Sequence, residues 1–272
     1  MKLNSATGIM RHFPLTVLLI CMPAPLSAGV VLFGFDETTD QLISIDGSTG
    51  AGTAIGPTGL GTIADFAIDS SGQIFASNYA ADELISIDRN TGAVTTIGSY
   101  GPFGNVVGLA FDSVGNLYGI DDGTDQILQI NTSTGAASAL STLSITDVSG
   151  LTFDATDTLY ATDSHAGNLL TLDPSTGAHS VVGSYGVAGG SITSITFDAA
   201  GTLYGTDRGA TDSLYTISTS TGAATAVGPF GFASVNSIAF DSASVPEPTS
   251  AALLAAGGIC GLCLRRRRNS KD

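Results

Sequence analysis

Gly108-Leu109-Ala110-Phe111-Asp112-Ser113-Val114-Gly115-Asn116-Leu117-Tyr118-Gly119-Ile120-Asp121 reads as two short apolar strands joined by a tight polar turn. Asp112 places an acceptor at the start of the turn and Gly115 provides the residue that enters positive φ, a hairpin signature. The flanking runs are apolar on both faces, which suits strands enclosed between neighbouring layers. Variants of the stretch recur along the chain. Their aspartates are Asp69, Asp112, Asp154, Asp198 and Asp241, spaced 43, 42, 44 and 43 residues. A second marker, Thr-Gly, ends in Gly50, Gly92, Gly135, Gly177 and Gly222, spaced 42, 43, 42 and 45. Two markers with one period near 43 predict four-stranded propeller blades.

Around Asp112 the expected strands are a (106–111), b (116–120), c (126–130) and d (136–140). The array ends after a single strand, 237–240. It begins at a second strand, Leu32-Phe33-Gly34-Phe35-Asp36, which matches Leu117 to Asp121. Strands from the two ends therefore complete one blade, which removes the exposed edges of an open array. The expected fold is an all-β propeller of five four-stranded blades with the ring closed by N- and C-terminal strands.

The ends of the chain read differently. Lys2, Arg11 and His12 precede an apolar run, 15–22, and small residues follow at Ser27-Ala28. This predicts a secretory signal peptide over 1–28, with a run too short to span a membrane. The propeller domain is expected over 29–244 and a tail over 245–272. In the tail, Pro246-Glu247-Pro248 is followed by an apolar stretch, 249–264, and by Arg265, Arg266, Arg267 and Arg268. The arginines form a positive-inside stop. Motif, transmembrane segment and basic cluster, in that order, resemble the PEP-CTERM sorting signal. The resemblance implies recognition and cleavage by an exosortase in a Gram-negative bacterium, with transient anchoring in the inner membrane. It also implies an exported protein at the cell surface or in an exopolysaccharide matrix. An ordinary C-terminal anchor is the plain alternative.

Residues 29–244 hold 20 Asp and 2 Glu against Arg89 and Arg208, a net charge of −20 with neutral histidines. Binding nucleic acid or anionic lipid needs Lys and Arg, so neither is an expected partner; membrane contact is expected only through the tail. Cys21, Cys260 and Cys263 all lie in the two end segments, so neither a disulfide nor thiol chemistry is expected in the domain. At 216 residues it is long enough to bury roughly 70% of its unfolded surface.

Leu84-Ile85-Ser86-Ile87-Asp88-Arg89-Asn90-Thr91-Gly92, then Ile97-Gly98, then Gly108 to Gly115 and Leu117-Tyr118, resembles the YVTN-type repeat. It is also close to NHL-type repeats and gluconolactonase-like propellers. The resemblance covers 31–241 and implies architecture; such repeats serve adhesins, scaffolds, lyases and lactonases alike. Those families commonly carry six or seven blades, and five are counted here.

Turns a–b and c–d share one face of such a ring, and loops b–c and d–a share the other. Asp46, Asp69, Asp88, Asp112, Asp154, Asp173, Asp198 and Asp241 fall on the first face as turn caps. On the second, the b–c loops pair Asp36 with Asp40, Asp121 with Asp125, and Asp207 with Asp212, alongside Asn78/Asp82 and Asp163/Asn168. Oxygen-rich loops would suit weak calcium binding; hairpin capping is the competing reading. The d–a loops repeat Gly-x-aromatic-Gly at Tyr100, Tyr185 and Phe230, with Phe103 and Phe232 close by. These rings either stack on a ligand such as a sugar or plug the gaps between blades.

No catalytic residue is assigned. His165 and His179 have no Cys partner, and no nucleophile elbow is present. The gluconolactonase-like resemblance implies a channel metal held by several blades. At the position four before each strand-a aspartate stand Asp65, Gly108, Gly150, Ser194 and Ser237, of which only Asp65 would ligate. The leading expectation is a non-enzymatic surface or matrix protein that binds a ligand, polysaccharide or surface protein through the b–c/d–a face. A lactonase- or lyase-like enzyme with a metal near Asp65 and an inert acidic matrix protein are the alternatives.

Overall fold

The computed structural model describes residues 31–187, 191–207 and 212–241. The signal-peptide, Pro-Glu-Pro, apolar-tail and arginine readings lie outside the described residues. Within them, twenty strands form five antiparallel four-stranded sheets. Blade 1 joins β1 (Val31–Asp36), β2 (Gln41–Asp46) and β3 (Gly52–Pro57) to β20 (Val235–Phe240) from the other end of the chain. Blade 2 is β4 (Ile63–Ile68), β5 (Ile74–Asn78), β6 (Glu83–Ile87) and β7 (Val94–Ser99). Blade 3 is β8 (Val106–Phe111), β9 (Leu117–Asp121), β10 (Gln126–Ile130) and β11 (Ala137–Thr142). Blade 4 is β12 (Val148–Phe153), β13 (Leu159–Asp163), β14 (Asn168–Leu172) and β15 (His179–Ser184). Blade 5 is β16 (Ile192–Phe197), β17 (Leu203–Asp207), β18 (Ser213–Ile217) and β19 (Ala224–Pro229).

The five-bladed ring is as the repeat predicts. β20 pairs with β1 in the register Leu32↔Phe240, Phe33↔Ala239, Gly34↔Ile238. The innermost strands β4, β8, β12, β16 and β20 pack around the axis, and β20 meets β4 to complete the circle. In blade 3, strand b runs one residue later than expected and strand d ends at Thr142. Each innermost strand except β20 shares one burial pattern, with four buried positions and two half-buried. The outermost strands β3, β7, β15 and β19 have no fully buried position. Burial thus falls from the axis outward, which is why strands a and b read as apolar and strand d does not.

The Thr-Gly marker recurs because it meets the end of strand d in the preceding blade. A Cβ on Gly98, at the end of strand d in blade 2, would lie 2.2 Å from Thr134 O in the Thr-Gly turn of blade 3. A Cβ on Gly135, which sits at φ +78°, would lie 2.1 Å from Gly98 O. The outer rims of adjacent blades therefore meet backbone to backbone, a contact only glycine allows. In blade 3, Ser141 stands where the others have this strand-d glycine, and Gly177 meets the carbonyl of the next residue, Thr142. Deeper in, aromatic pairs bridge the blades: Phe75–Phe111 at 5.5 Å, Tyr118–Phe153 at 5.0 Å and Tyr160–Phe197 at 5.3 Å between centroids.

The a–b turn aspartates cap their own turns. Asp69 accepts from Ser71 N and Gln73 N, both at 2.9 Å, and Asp112 accepts from Val114 N (3.1 Å) and Asn116 N (2.8 Å). Asp154 and Asp198 repeat the arrangement. Asp241 occupies the same repeat position, but its strand b is β1, from the other end of the chain. Its N–H donates to Val31 O (3.3 Å), and its buried carboxylate pairs with Arg89. The Arg89 guanidinium also lies over the Phe33 ring, 5.3 Å from its centroid.

Candidate functional site

Call the b–c/d–a face the upper face. At its centre a cavity of about 410 Å³ opens on the propeller axis. Two repeat positions build it. The second residue of each innermost strand contributes Ala64, Val107, Ser149, Thr193 and Asn236, one from every blade. The residue that follows strand b contributes Glu37, Tyr79 and Ser164. In the blade-to-blade alignment this second position reads Glu37, Tyr79, Asp122, Ser164 and Arg208. It varies in chemistry while its neighbours repeat.

Side chains around the cavity are cross-linked. Asn236 Nδ2 donates to Glu37 Oε1 and to Ile63 O, both at 2.8 Å. Two acceptors on one nitrogen fix which way the amide points. Its Oδ1 is buried without a donor among the described residues. Ser234 Oγ donates to Glu37 Oε2 at 3.3 Å. Ser149 Oγ lies 2.7 Å from Thr162 Oγ1, and Ser164 Oγ donates to Asp147 O at 3.0 Å. Tyr79 is 42% exposed, which places a large ring at the rim. Asp122 also sits among carboxylates; partial burial, then Asp125, Asp147 and Asp121, raise its pKa above the usual carboxylate value.

Asp65 closes the channel below this cavity. It is fully buried on β4; Leu109 N on β8 donates to its Oδ2 at 3.1 Å and Ser194 Oγ on β16 to its Oδ1 at 3.0 Å. Ser194 Oγ in turn accepts from Ile238 N of β20 at 3.1 Å. One carboxyl thus ties together strands from blades 2, 3 and 5, and Ser194 extends the tie to blade 1. Burial pushes the Asp65 pKa up to about 8, against the hydrogen bonds that pull it down. At the equivalent position blades 3 and 4 have Gly108 and Gly150, where a Cβ would meet Ser149 O at 2.4 Å and Ser194 Cα at 2.8 Å in the next blade. Beneath lies a second cavity of about 160 Å³, rimmed by Ile68, Phe111, Phe153, Phe197 and Phe240. The two cavities share no lining residue. The upper one is roomier and mixes apolar with hydroxyl side chains, and the lower one is tighter.

The aromatic loop residues are placed elsewhere. Tyr100, Tyr185 and Phe230 are buried, each in a different hydrophobic cluster between blades. Their carbonyls accept from Ala137 N, Ala224 N and Gly52 N of the next blade. Phe103 and Phe232 are half-buried against the same clusters. These rings plug the blade gaps, the second of the two readings above, and none lines the axial cavity. Burial pushes the Tyr100 and Tyr185 hydroxyls far above the usual phenol range.

The paired loop aspartates serve their own backbone. Asp40, Asp125 and Asp212 adopt left-handed φ of 57°, 53° and 40°, and Gly167 takes the same place in blade 4 at 69°. Asp tolerates this region better than most residues, so the turn explains its recurrence. Asp36 accepts from Thr39 N (3.1 Å), Asp40 from Gly59 N (2.8 Å) and Gly61 N (3.1 Å), and Asp121 from Gly123 N (2.9 Å). Asp207 accepts from Ser213 N (2.9 Å) and Asp212 from Ser234 N (2.8 Å). Among the described residues no group of three or more His, Cys, Asp or Glu is placed to hold a metal ion. Calcium stays an expectation of the sequence that these contacts do not call for. His179 Nδ1 lies 2.8 Å from Ser144 Oγ, on the outer strand of blade 4.

Glu37 and Tyr79 carry the site and were not singled out by motif. The signal that would have found them is the alignment of blades against one another, in which the post-b residue changes charge and character from unit to unit.

Residues 244–268 match the PEP-CTERM protein-sorting motif, and 27–156 match a repeat of unknown function, DUF6923. The repeat match thus covers the first blades of the five-bladed propeller, and the sorting motif covers the tail that follows it. The tail makes it an exported protein sorted by an exosortase to the cell surface. No curated protein matches the sequence. Among solved structures, a chain of the nidogen/laminin complex superposes with TM-score 0.57 at 16% identity, over 78% of this chain and 98% of that one. A protein of unknown function from Bacteroides thetaiotaomicron gives 0.54 at 16% identity, over 70% of this chain and 53% of that one. A streptogramin B lyase gives 0.47 at 14% identity, over 76% and 71%. Identities this low speak for the fold alone.

Proposed function

We propose that this exosortase-sorted propeller is a non-enzymatic binding protein of the cell surface or exopolysaccharide matrix, and that its upper face takes the ligand. The observation that carries the reading is the axial cavity on that face, to which all five blades contribute. Pockets of a few hundred Å³ with a small number of placed polar groups are where ligands bind. The sorting tail adds the setting, and the strong negative charge of the domain disfavours anionic partners. Asp65, on which an enzyme reading would lean, is enclosed by blade contacts beneath the cavity and is neutral below pH about 8.

The test is retention of residues 29–244, which contain every strand of the closed ring, on exopolysaccharide from the source bacterium. Retention with and without a calcium chelator supports the reading and separates a calcium-bridged mode from a direct one. Absence of retention sinks matrix binding.

A further inference from the structure

We infer that the axial cavity captures one sugar residue, neutral or basic, by its end rather than along a chain. The inference rests on the binding role proposed above and narrows it to one site and one ligand class. Three features lead to it.

The first is the mixture of surfaces. Tyr79 offers an exposed ring at the rim, Val107 and Ala64 an apolar patch, and Ser149 and Thr193 hydroxyls on other walls. A pyranose has the matching composition, an apolar face edged by hydroxyls, and aromatic rings with a polar end favour such amphipathic ligands. A purely apolar ligand would strip water from the hydroxyls with no return.

The second is charge. Among the described residues Glu37 is the one carboxylate in the cavity lining, and Asn236 helps to hold it in place. A ligand carboxylate beside it would meet a like charge, so uronic acids are rejected while neutral and amino sugars are not. The third is the floor. Asp65 and its ties to Leu109 and Ser194 shut the channel below, so a polysaccharide cannot thread through. Only a free sugar or a chain terminus fits a blind cavity of about 410 Å³.

The experiment titrates residues 29–244 with glucose, N-acetylglucosamine, glucosamine and glucuronate, and competes each against retention on the polysaccharide. The expected result is saturable one-site binding of at least one neutral or amino sugar, with glucuronate weaker by about tenfold or more. Tyr79→Ala weakens the sugar by about tenfold without lowering the melting temperature. Glu37→Gln keeps the contacts with Asn236 and Ser234 within reach and narrows the gap between glucuronate and glucose. Retention released by the monosaccharide identifies a chain terminus as the source; sugar binding without retention identifies the free sugar. Sugar binding indifferent to Tyr79→Ala, or glucuronate bound as well as glucose, overturns the inference. Retention that no monosaccharide releases, with no sugar bound, overturns it while leaving the broader binding role standing. Neither retention nor sugar binding removes both.

Discussion

Ser194 Oγ donates to Asp65 Oδ1 at 3.0 Å although the two residues are 129 apart in sequence and their strands are separated by a blade. The bond crosses the propeller axis. It gives the ring an internal brace that does not depend on neighbour-to-neighbour packing.

That brace has a pH signature. The folded-state pKa of Asp65 is raised to about 8, whereas an exposed Asp has 3.8. The folded state therefore holds a proton that the unfolded chain has released. This group's contribution to stability is fully present below pH 3.8 and is lost progressively as pH rises to about 8. The slope approaches about 1.4 kcal/mol per pH unit at its steepest. Asp65→Asn removes this slope, so the variant gains on the parent between pH 5 and pH 9 in denaturant midpoints. Parallel profiles for the two proteins would show that Asp65 ionises normally.

Arg89 is a second long-range tie. Asp241 is buried, and its partner comes from the c–d turn of blade 2. Arg89→Ala leaves a buried carboxylate short of its cation, at a cost of about 2 kcal/mol once the partial exposure of Arg89 is allowed for. For a domain of this size the melting temperature falls by about 4–8 °C. In an Asp241→Asn background the same change costs less, and equal costs in both backgrounds would mean that the pair is not coupled.

The buried tyrosines predict opposite outcomes for two substitutions. Tyr185→Phe removes a buried hydroxyl that has no hydrogen-bond partner among the described residues and raises stability by about 1 kcal/mol. Tyr100→Ala with Tyr185→Ala empties two interblade clusters at about 3–5 kcal/mol each. The double variant is expected to unfold near or below the growth temperature. A double variant that melts like the parent and loses only ligand affinity would restore the stacking role for these loops.

Gly98→Ala forces a Cβ against Thr134 O, which is backbone and has little room to move. The expected loss is about 1–3 kcal/mol, read as a lower denaturant midpoint. Val181, 57% exposed on an outer strand, is the control site, where a change to Thr leaves the midpoint unmoved.

Substituting Pro246, Glu247 and Pro248 by alanine is expected to leave full-length protein in the inner membrane, seen as a larger band in the membrane fraction. Normal maturation would place recognition elsewhere in the tail.

Much of the fold is legible in the sequence because it rests on backbone geometry that few residues satisfy. Phe111-Asp112 and Gly115 encode a hairpin, Gly98 and Gly135 a blade contact, and Leu32 to Asp36 the missing strands of the last blade. The same regularity hides the site. Asp40 and Asp125 look like ligands, yet they recur because a left-handed turn needs them. Tyr100 and Tyr185 recur because every blade gap must be filled, and Thr58 and Leu143 fill the equivalent gaps without an aromatic ring. Glu37 and Tyr79 do not recur at their repeat position, so no motif marks them. The Asp65 brace was visible as a lone carboxyl among glycines and serines, but its partner Ser194 is set by ring closure and not by local pattern.

Ring closure also orders events in time. β20 is the last strand to be made, and the Pro246-Glu247-Pro248 motif begins six residues after it ends. Until Phe240 has emerged, blade 1 lacks its innermost strand and the circle stands open. The long-range pairing of first strand with last is intrinsically the slowest to form. The ring can therefore close only once nearly the whole propeller has been synthesised, so a chain cut before Phe240 leaves blade 1 with an open inner edge.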